Sequence, residues 1–452
     1  MRLQVLDDSV RFACGGCTFC CNQTYRVLIE ADKAQALDAC DFSKYPQLAG
    51  KALYHELGSG DREFYAIAKL AENRCIFCDT DDLCIIHKEL GPEAKPHMCQ
   101  QFPFLVSKTP IDDRLSASYG CPAVQQCQGT ELNEQASAIA KLVAVTDKPV
   151  DFDACVPLDP TCDLTWPESE ALFERMIEIF GPGQQGDLWT RFGHVLALLV
   201  AVREQKMSTP PIPGSSNELI DLLRSNEPLP HMPDVPPVLG WSRTSQAPMP
   251  VRFLFAATMY PDAVSTECAT SPSLFKRLSL IPKLIALSKL SGVYASRILE
   301  RNISVGDVLE HDVCDRLDDE STELLLRYYR SRFWQRMLAG TRLSVIAGVH
   351  QHIHDLNAII FMARAEAYHK NVTELNTPLI QEALRQVEFH IANQRRMYES
   401  TLKGWLRAQL NHPALAFQSL RLMALKRERP KTEVAGENGA AQDNASTSSD
   451  SR

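Results

Sequence analysis

The sequence predicts a mainly α protein in two parts: a small cysteine-rich α+β module, then a larger helical domain. Three observations predict it. Eleven of the 15 cysteines lie within the first 127 residues. Ten of the 27 prolines fall between Pro210 and Pro250, too many for continuous regular structure. Beyond that stretch apolar residues recur at steps of three and four, the period of a helix with one buried face.

A chain of 452 residues has room for about two to three domains. Hydrophobic residues make up 45% and charged residues 23%, a balance that suits a packed globular core. The net charge of -9 argues against a general nucleic-acid binder, which carries a basic excess. The opening "MRLQVLDDSVRF" holds two aspartates and no apolar stretch of signal-peptide length. The richest apolar run, "VLALLVAV" at 195–202, is far shorter than the roughly 20 residues of a membrane helix. The expectation is a cytoplasmic protein without a membrane partner.

Residues 1–130 form the cysteine-rich module. Within it "TYRVLIE" alternates as a short strand, and "ADKAQALDAC" reads as the helix that follows. Residues 131–250 hold a helical segment and the proline-rich linker. The segment 167–206 reads as helical, broken by "GPGQQG" at 181–186, and "NELIDLLRS" reads as one short helix within the linker. The string "GPGQQG" fits G-x-G-x-x-G, but a helix rather than a strand precedes it, so it reads as a helix–helix turn.

Residues 251–426 form the helical domain. Ile346, Val349, Ile353, Leu356, Ile360 and Ala363 mark one face of a long helix. Leu326, Tyr329, Phe333 and Met337 mark an earlier one. Thr377 and Pro378 read as the N-cap and first turn of a helix buried through Ile380, Leu384, Val387 and Ile391. "HQHIHD" sets His350 and His354 one turn apart. They read first as hydrogen-bonded core or face residues and second as a metal or catalytic pair. Residues 385–429 carry nine Lys or Arg against three Glu, a solvated face or a docking surface for an acidic protein. The stretch 427–452 is polar and reads as a disordered tail. H-E-x-x-H, G-x-S-x-G and the phosphate-loop pattern are all absent, which argues against three common enzyme classes.

The cysteines carry the chemistry. In "FACGGCTFCC", Cys14, Cys17 and Cys20 make C-x2-C-x2-C, the spacing of the first three ligands of a bacterial ferredoxin cluster. Two intervening residues let the backbone curl round a metal core, and Gly15 and Gly16 ease the bend. Cys21 breaks that pattern and reads as a ligand of a second metal or a spare. The later segment supplies Cys75, Cys78, Cys84 and Cys99, then Cys121 before Pro122, and Cys127. In a reducing compartment such clusters read as metal sites rather than disulfides. Thiolate-rich sites suit zinc and iron–sulfur clusters alike. Cys40, Cys155, Cys162, Cys268 and Cys314 lack ligand spacing and read as structural.

This set resembles the YkgJ-type cysteine-cluster family, described as zinc- or iron-chelating. The residues that carry the resemblance are Cys14, Cys17, Cys20, Cys21, Cys75, Cys84, Cys99, Gln100–Phe104 and Cys121. They span about 1–125. Cys78 and Cys127 stand beyond the usual set, His87 stands where an aromatic is common, and Lys95-Pro96 where Arg-Pro is common. Cys14, Cys17, Cys20, Cys21, Cys75, Cys84, Cys99 and Cys121 are the metal ligands the resemblance implies. In layout the chain is similar to the flagellin lysine-N-methylase family. That similarity implies an iron–sulfur cluster (4Fe-4S), S-adenosylmethionine, and methyl transfer to lysines of a protein substrate such as flagellin. The alternatives are a zinc-stabilised protein-interaction module without catalysis, and a metal or redox relay.

Overall fold

A computed structural model of the chain describes residues 3–6, 10–23, 26–57, 64–146, 153–208, 216–225, 232–235, 238, 246–259, 285, 287–311, 313, 316–336, 343–392 and 403–424. The expected tail 427–452, Cys268, Cys314, Met337 and parts of the proline-dense stretch lie outside these residues. Among the described residues are fifteen helices and twelve short strands, so the fold is mainly α. No helix among them is long and apolar enough to cross a membrane.

The first 131 residues hold most of the short strands. Strand β1 (Leu3–Val5) runs parallel to β7 (Asp113–Ala117), which pairs antiparallel with β6 (Phe104–Lys108). Strands β3 (Leu28–Ile29), β5 (Phe64–Ile67) and β4 (Tyr54–Leu57) make a second sheet in that order. Strand β2 (Arg11–Phe12) pairs with β8 (Thr130–Glu131). The expected strand in "TYRVLIE" is β3, and the expected helix is α1 (Ala31–Asp38).

Two apolar cores divide this segment. The smaller gathers Val27, Ile29, Leu37, Phe42, Ile67, Phe77 and Ile85, with Cys75, Cys84 and Cys99 packed against it. The larger runs from Leu3, Leu115 and Tyr119 through to Met423. The strand–turn segment 115–124 therefore shares its core with the helices. Strand β7 is covered on both faces: Leu115 and Ala117 face apolar neighbours while Arg114 and Ser116 are also buried.

Helix α5 (Leu132–Thr146) and the antiparallel pair β9 (Val156–Asp159) and β10 (Cys162–Leu164) lead to helix α6 (Trp166–Ile179), which starts at a capping box between Thr165 and Glu168, with Pro167 in its first turn. Helix α7 (Leu188–Ser208) follows the 181–186 turn, as the sequence predicts. The linker helix is α8 (Ser216–Arg224). Helix α9 (Met249–Thr258) precedes a feature that periodicity missed, the hairpin β11 (Val293–Ser296) and β12 (Arg301–Ser304). Each strand gives only four residues, and Tyr294 opposite Ile303 is its buried pair.

Helix α10 (Val305–Glu310) leads to α11 (Asp319–Trp334) and α12 (Val345–Lys370). The expected single apolar face of α12 is too narrow a description. Helices α7 and α9 flank it together with α13 (Thr377–Val387), α14 (Lys403–Leu410) and α15 (Pro413–Leu420). Twenty-two of its 26 residues are buried, including His350, His354, Asp355 and Asn357. A helix enclosed in this way must satisfy its polar side chains internally. The N-cap of α13 is Asn376, not Thr377. The Asn376 side chain accepts from the Leu379 N–H, while the Thr377 hydroxyl turns to Asp318, the cap of α11. After Val387 the chain makes one π-helical turn, Glu388–Ala392.

Candidate metal centre

The turn 18–22 presents Cys20 and Cys21. Gly16 (φ +68°) and Thr18 (φ +56°) bend the backbone, and Cys21 and Asn22 donate back to the Thr18 carbonyl. Cys14 and Cys17 are exposed on the loop before it. The later cysteines come in on short elements. Cys75 donates its N–H to the Cys21 carbonyl at 3.0 Å, which joins the two segments directly. Cys78 lies three residues on, in a turn closed by its N–H to the Cys75 carbonyl, and forms an antiparallel bridge with Cys84. Lys88 and Arg74 tie the intervening loop through Asp79, Asp81 and Asp82. Cys84 caps helix α2 (Ile85–Leu90), and Cys121 caps α4 (Pro122–Gln125). Cys99 lies inside α3 (His97–Gln101).

Ionising any one of these sulfurs is opposed by others close to it. Cys21 interacts with Cys75, Cys78, Cys84 and Cys99. Cys20 interacts with Cys99 and Cys14, and Cys121 with Cys17 and Cys14. All eight sequence-predicted cysteines therefore belong to one connected neighbourhood, with Cys14 linking its inner and outer parts. Cys78 belongs to it too. The convergence stops short of ligand spacing: among the described residues, no three His, Cys, Asp or Glu side chains are grouped so as to hold a metal ion.

Local electrostatics decide which thiols ionise. Cys20 donates to the Cys21 sulfur, which together with burial holds Cys20 far above the usual thiol range. Donation from Cys20, opposed by burial and helped by Lys69, Lys95 and Arg74, brings Cys21 down to about 7. Burial pushes Cys75 and Cys99 up to about 12, and Cys78 and Cys121 up to about 11. Burial raises Cys84 as well. Backbone N–H groups oppose that rise at three sulfurs: Phe77 at Cys75, His87 and Ile86 at Cys84, Val124 and Ala123 at Cys121. N–H groups aimed at a sulfur favour its thiolate, the form that binds metal. In donor type the set fits a thiolate-bound metal: soft ligands, inward-turned N–H groups and nearby cations to offset the charge.

The remaining candidates lie elsewhere. The Cys127 sulfur meets the Arg327 guanidinium, which also donates to the Gln125 carbonyl at 3.0 Å. Cys40 donates to the Ala36 carbonyl. His350 and His354 stack at 5.0 Å and share the Ser419 hydroxyl, at 2.8 Å and 3.2 Å. The second His350 nitrogen meets the Leu410 carbonyl. These partners join α12 to α14 and α15, the arrangement of hydrogen-bonded core histidines.

Sequence reasoning missed the groups that close the site from the helical side. Phe389 packs edge-to-face with Phe19 at 5.3 Å and tilted against Phe102 at 5.8 Å, and its ring fills the space beside Gly120. An added Cβ on Gly120 would lie 2.3 Å from that ring. Arg385 lies over Phe19 at 5.0 Å. The buried Glu388 carboxylate accepts from Ser118 at 2.8 Å and from the Tyr119 and Gly120 N–H groups, just before Cys121. Burial pushes Glu388 up to about 7 against the charge of Arg332 and those bonds. One turn of π-helix thus sets two adjacent side chains on the cysteine loops, a use this rare geometry often serves. Lys69, Lys95, Arg74, Glu388 and Phe389 sit on loops or at a helix end, where no periodic pattern marks them.

Comparison of the chain with protein-family models, curated proteins and solved structures found no match.

Proposed function

We propose that this protein is a cysteine-cluster metal protein of the YkgJ-like kind, acting as a cytoplasmic S-adenosylmethionine-dependent protein lysine N-methylase. The observation that supports the metal reading is the convergence of Cys14, Cys17, Cys20 and Cys21 with Cys75, Cys84, Cys99 and Cys121 in one neighbourhood. The methylase reading rests on the resemblance in cysteine pattern and layout. In this reading residues 1–130 are a metal-binding module and residues 251–426 shape the approach of the protein substrate.

The eight cysteines hold the centre, as iron–sulfur or zinc, with Cys78 beside them. An iron–sulfur cluster with an open iron would supply a site for the carboxylate and amine of the methyl donor. The chain's own residues do the rest. Lys69, Lys95 and Arg74 offset the negative charge of the thiolates. Phe19, Phe102 and Phe389 exclude water from the helical side. The lysine to be modified must lose its proton before polar attack, which a desolvated approach favours.

A second reading draws on a specific observation: Cys75, Cys84 and Cys99 pack against a small apolar core of their own. A structural zinc contributes roughly 10–16 kcal/mol of apparent binding energy, ample to stabilise such a core. One experiment separates the two. Anaerobically purified protein is incubated with S-adenosylmethionine and flagellin, and lysine methylation is read by mass spectrometry. Methylated lysine with a brown chromophore near ~400 nm, as thiolate-bound iron gives, supports the methylase. A colourless zinc protein without turnover, whose 27–99 core unfolds on chelation, supports the second reading and removes the first.

A further inference from the structure

Away from the cysteines, the 181–186 turn borders a cavity of about 460 Å³. Arg175 of α6, Gln184 of the turn, His194 and Leu198 of α7, Leu223 of α8 and Met232 face it from five separate stretches of chain. Its walls are fixed in place. Arg191 is buried and donates to four carbonyls around the turn: Gln184 at 2.7 Å, Gly181 at 2.8 Å, Gly186 at 3.2 Å and Ile179 at 3.4 Å. Gly183 (φ +77°) and Gly186 (φ +94°) allow the tight path that brings those carbonyls together. On the far side, residues 232–235 lie directly on α7. An added Cβ on Gly193 would come within 2.5 Å of Val235. The turn that reads as a plain helix connection in sequence is a braced rim.

The lining chemistry selects a ligand class. Leu198, Leu223 and Met232 offer an apolar floor. Arg175, held by Glu178 at 3.0 Å, supplies a guanidinium, and no acidic side chain lines the cavity among the described residues. Burial holds His194 below its usual range, so it serves as a neutral hydrogen-bonding group in the same wall lining. Pockets of this volume with an apolar body and a few polar groups are the usual form of a small-molecule site.

We propose that this cavity binds a small amphipathic carboxylate, with its apolar body among Leu198, Leu223 and Met232 and its acid group at Arg175. The proposal does not depend on the metal reading. Naphthoate is titrated calorimetrically into the full-length protein, with naphthalenemethanol as the neutral comparison. Saturable one-to-one binding is expected, weakened about tenfold for the neutral analogue and about tenfold by Arg175→Gln, the loss of one charge-assisted contact. Leu198→Trp, which fills the cavity, abolishes binding, and Leu223→Phe gives the same direction in a milder form if the larger change impairs folding. No saturable heat at millimolar naphthoate, or equal affinity in Arg175→Gln, overturns the proposal.

Discussion

Replacing Glu170 by Gln tests how strand β7, which leads to Cys121, is joined to the helical body. The Glu170 carboxylate accepts from Arg336 at 2.7 Å and 3.0 Å, and from Arg114 of β7. Both arginines are buried, at 3% and 4% exposure, and each is sandwiched against a ring: Arg114 over Trp334 at 4.5 Å, Arg336 over Phe173 at 4.4 Å. Removing the shared anion strips buried Arg336 of its carboxylate and leaves Arg114 with Asp112, at 2.7 Å, as its remaining ion-pair partner. Breaking a buried pair in this way costs about 3–5 kcal/mol, far more than the near-zero effect of an exposed pair. With a urea slope of about 3 kcal/mol/M, the midpoint falls by roughly 1 M or more. Trp334 stacks on Arg114 and donates to the Leu115 carbonyl, so tryptophan fluorescence follows the unfolding of this junction. The sign with pH is fixed as well. Burial raises the Glu170 carboxyl, but Arg336 and then Arg114 outweigh it and hold the group below the usual 4.5. The bridge therefore contributes fully above pH 4.5, and its contribution is lost as pH falls through the lower folded value. A midpoint in Glu170→Gln within the error of the parent refutes the reasoning.

Three further outcomes follow from the packing. Ser419→Ala removes the hydroxyl shared by His350 and His354, and the orphaned nitrogens cost about 1–3 kcal/mol in a denaturant melt. Burial holds His350 at about 4 and His354 well below the usual 6.5. Between those values the unfolded chain binds protons that the folded one refuses, so stability falls as pH drops from 6.5 toward 4. For His350 alone the loss reaches about 3 kcal/mol at 1.36 kcal/mol per pH unit. It disappears from the stability–pH curve in His350→Phe. Gly120→Ala drives a Cβ into Phe389 and destabilises by about 1–3 kcal/mol. Phe389→Leu in the same chain restores part of that loss, and a double-mutant cycle by thermal melting reads the coupling.

Much of the architecture was legible because it rests on period and spacing. The 3–4 steps from Ile346 to Ala363 mark α12, and the break at 181–186 marks the α6–α7 turn. The stripe showed which residues of α12 are buried. It hid that Asp355 and Asn357 are buried as well, because enclosure by neighbouring helices is a tertiary property. Asn376 displaced Thr377 as the cap of α13 because Asp318 claims the Thr377 hydroxyl across the fold. The β11–β12 hairpin was too short to stand out from a helical background. At the centre, the C-x2-C-x2-C-C run and the Cys-Pro pair were visible from spacing alone. Lys69 and Arg74 lie close to Cys75 in sequence and Lys95 close to Cys99, but no periodic pattern marks a cation beside a thiol, and Glu388 and Phe389 reach the cysteines only through the folding of distant chain.

The central claim is that thiols from 14–21 and 75–121 share one inorganic core. Metal and acid-labile sulfide are quantified on anaerobically purified protein, beside variants with Cys21, Cys75, Cys84 or Cys99 changed singly to Ser and with Cys155→Ser as control. Stoichiometric metal in the parent and in Cys155→Ser, lost in each of the other four, is the predicted result. A parent that binds no metal, or four variants that keep it in full, contradicts the account.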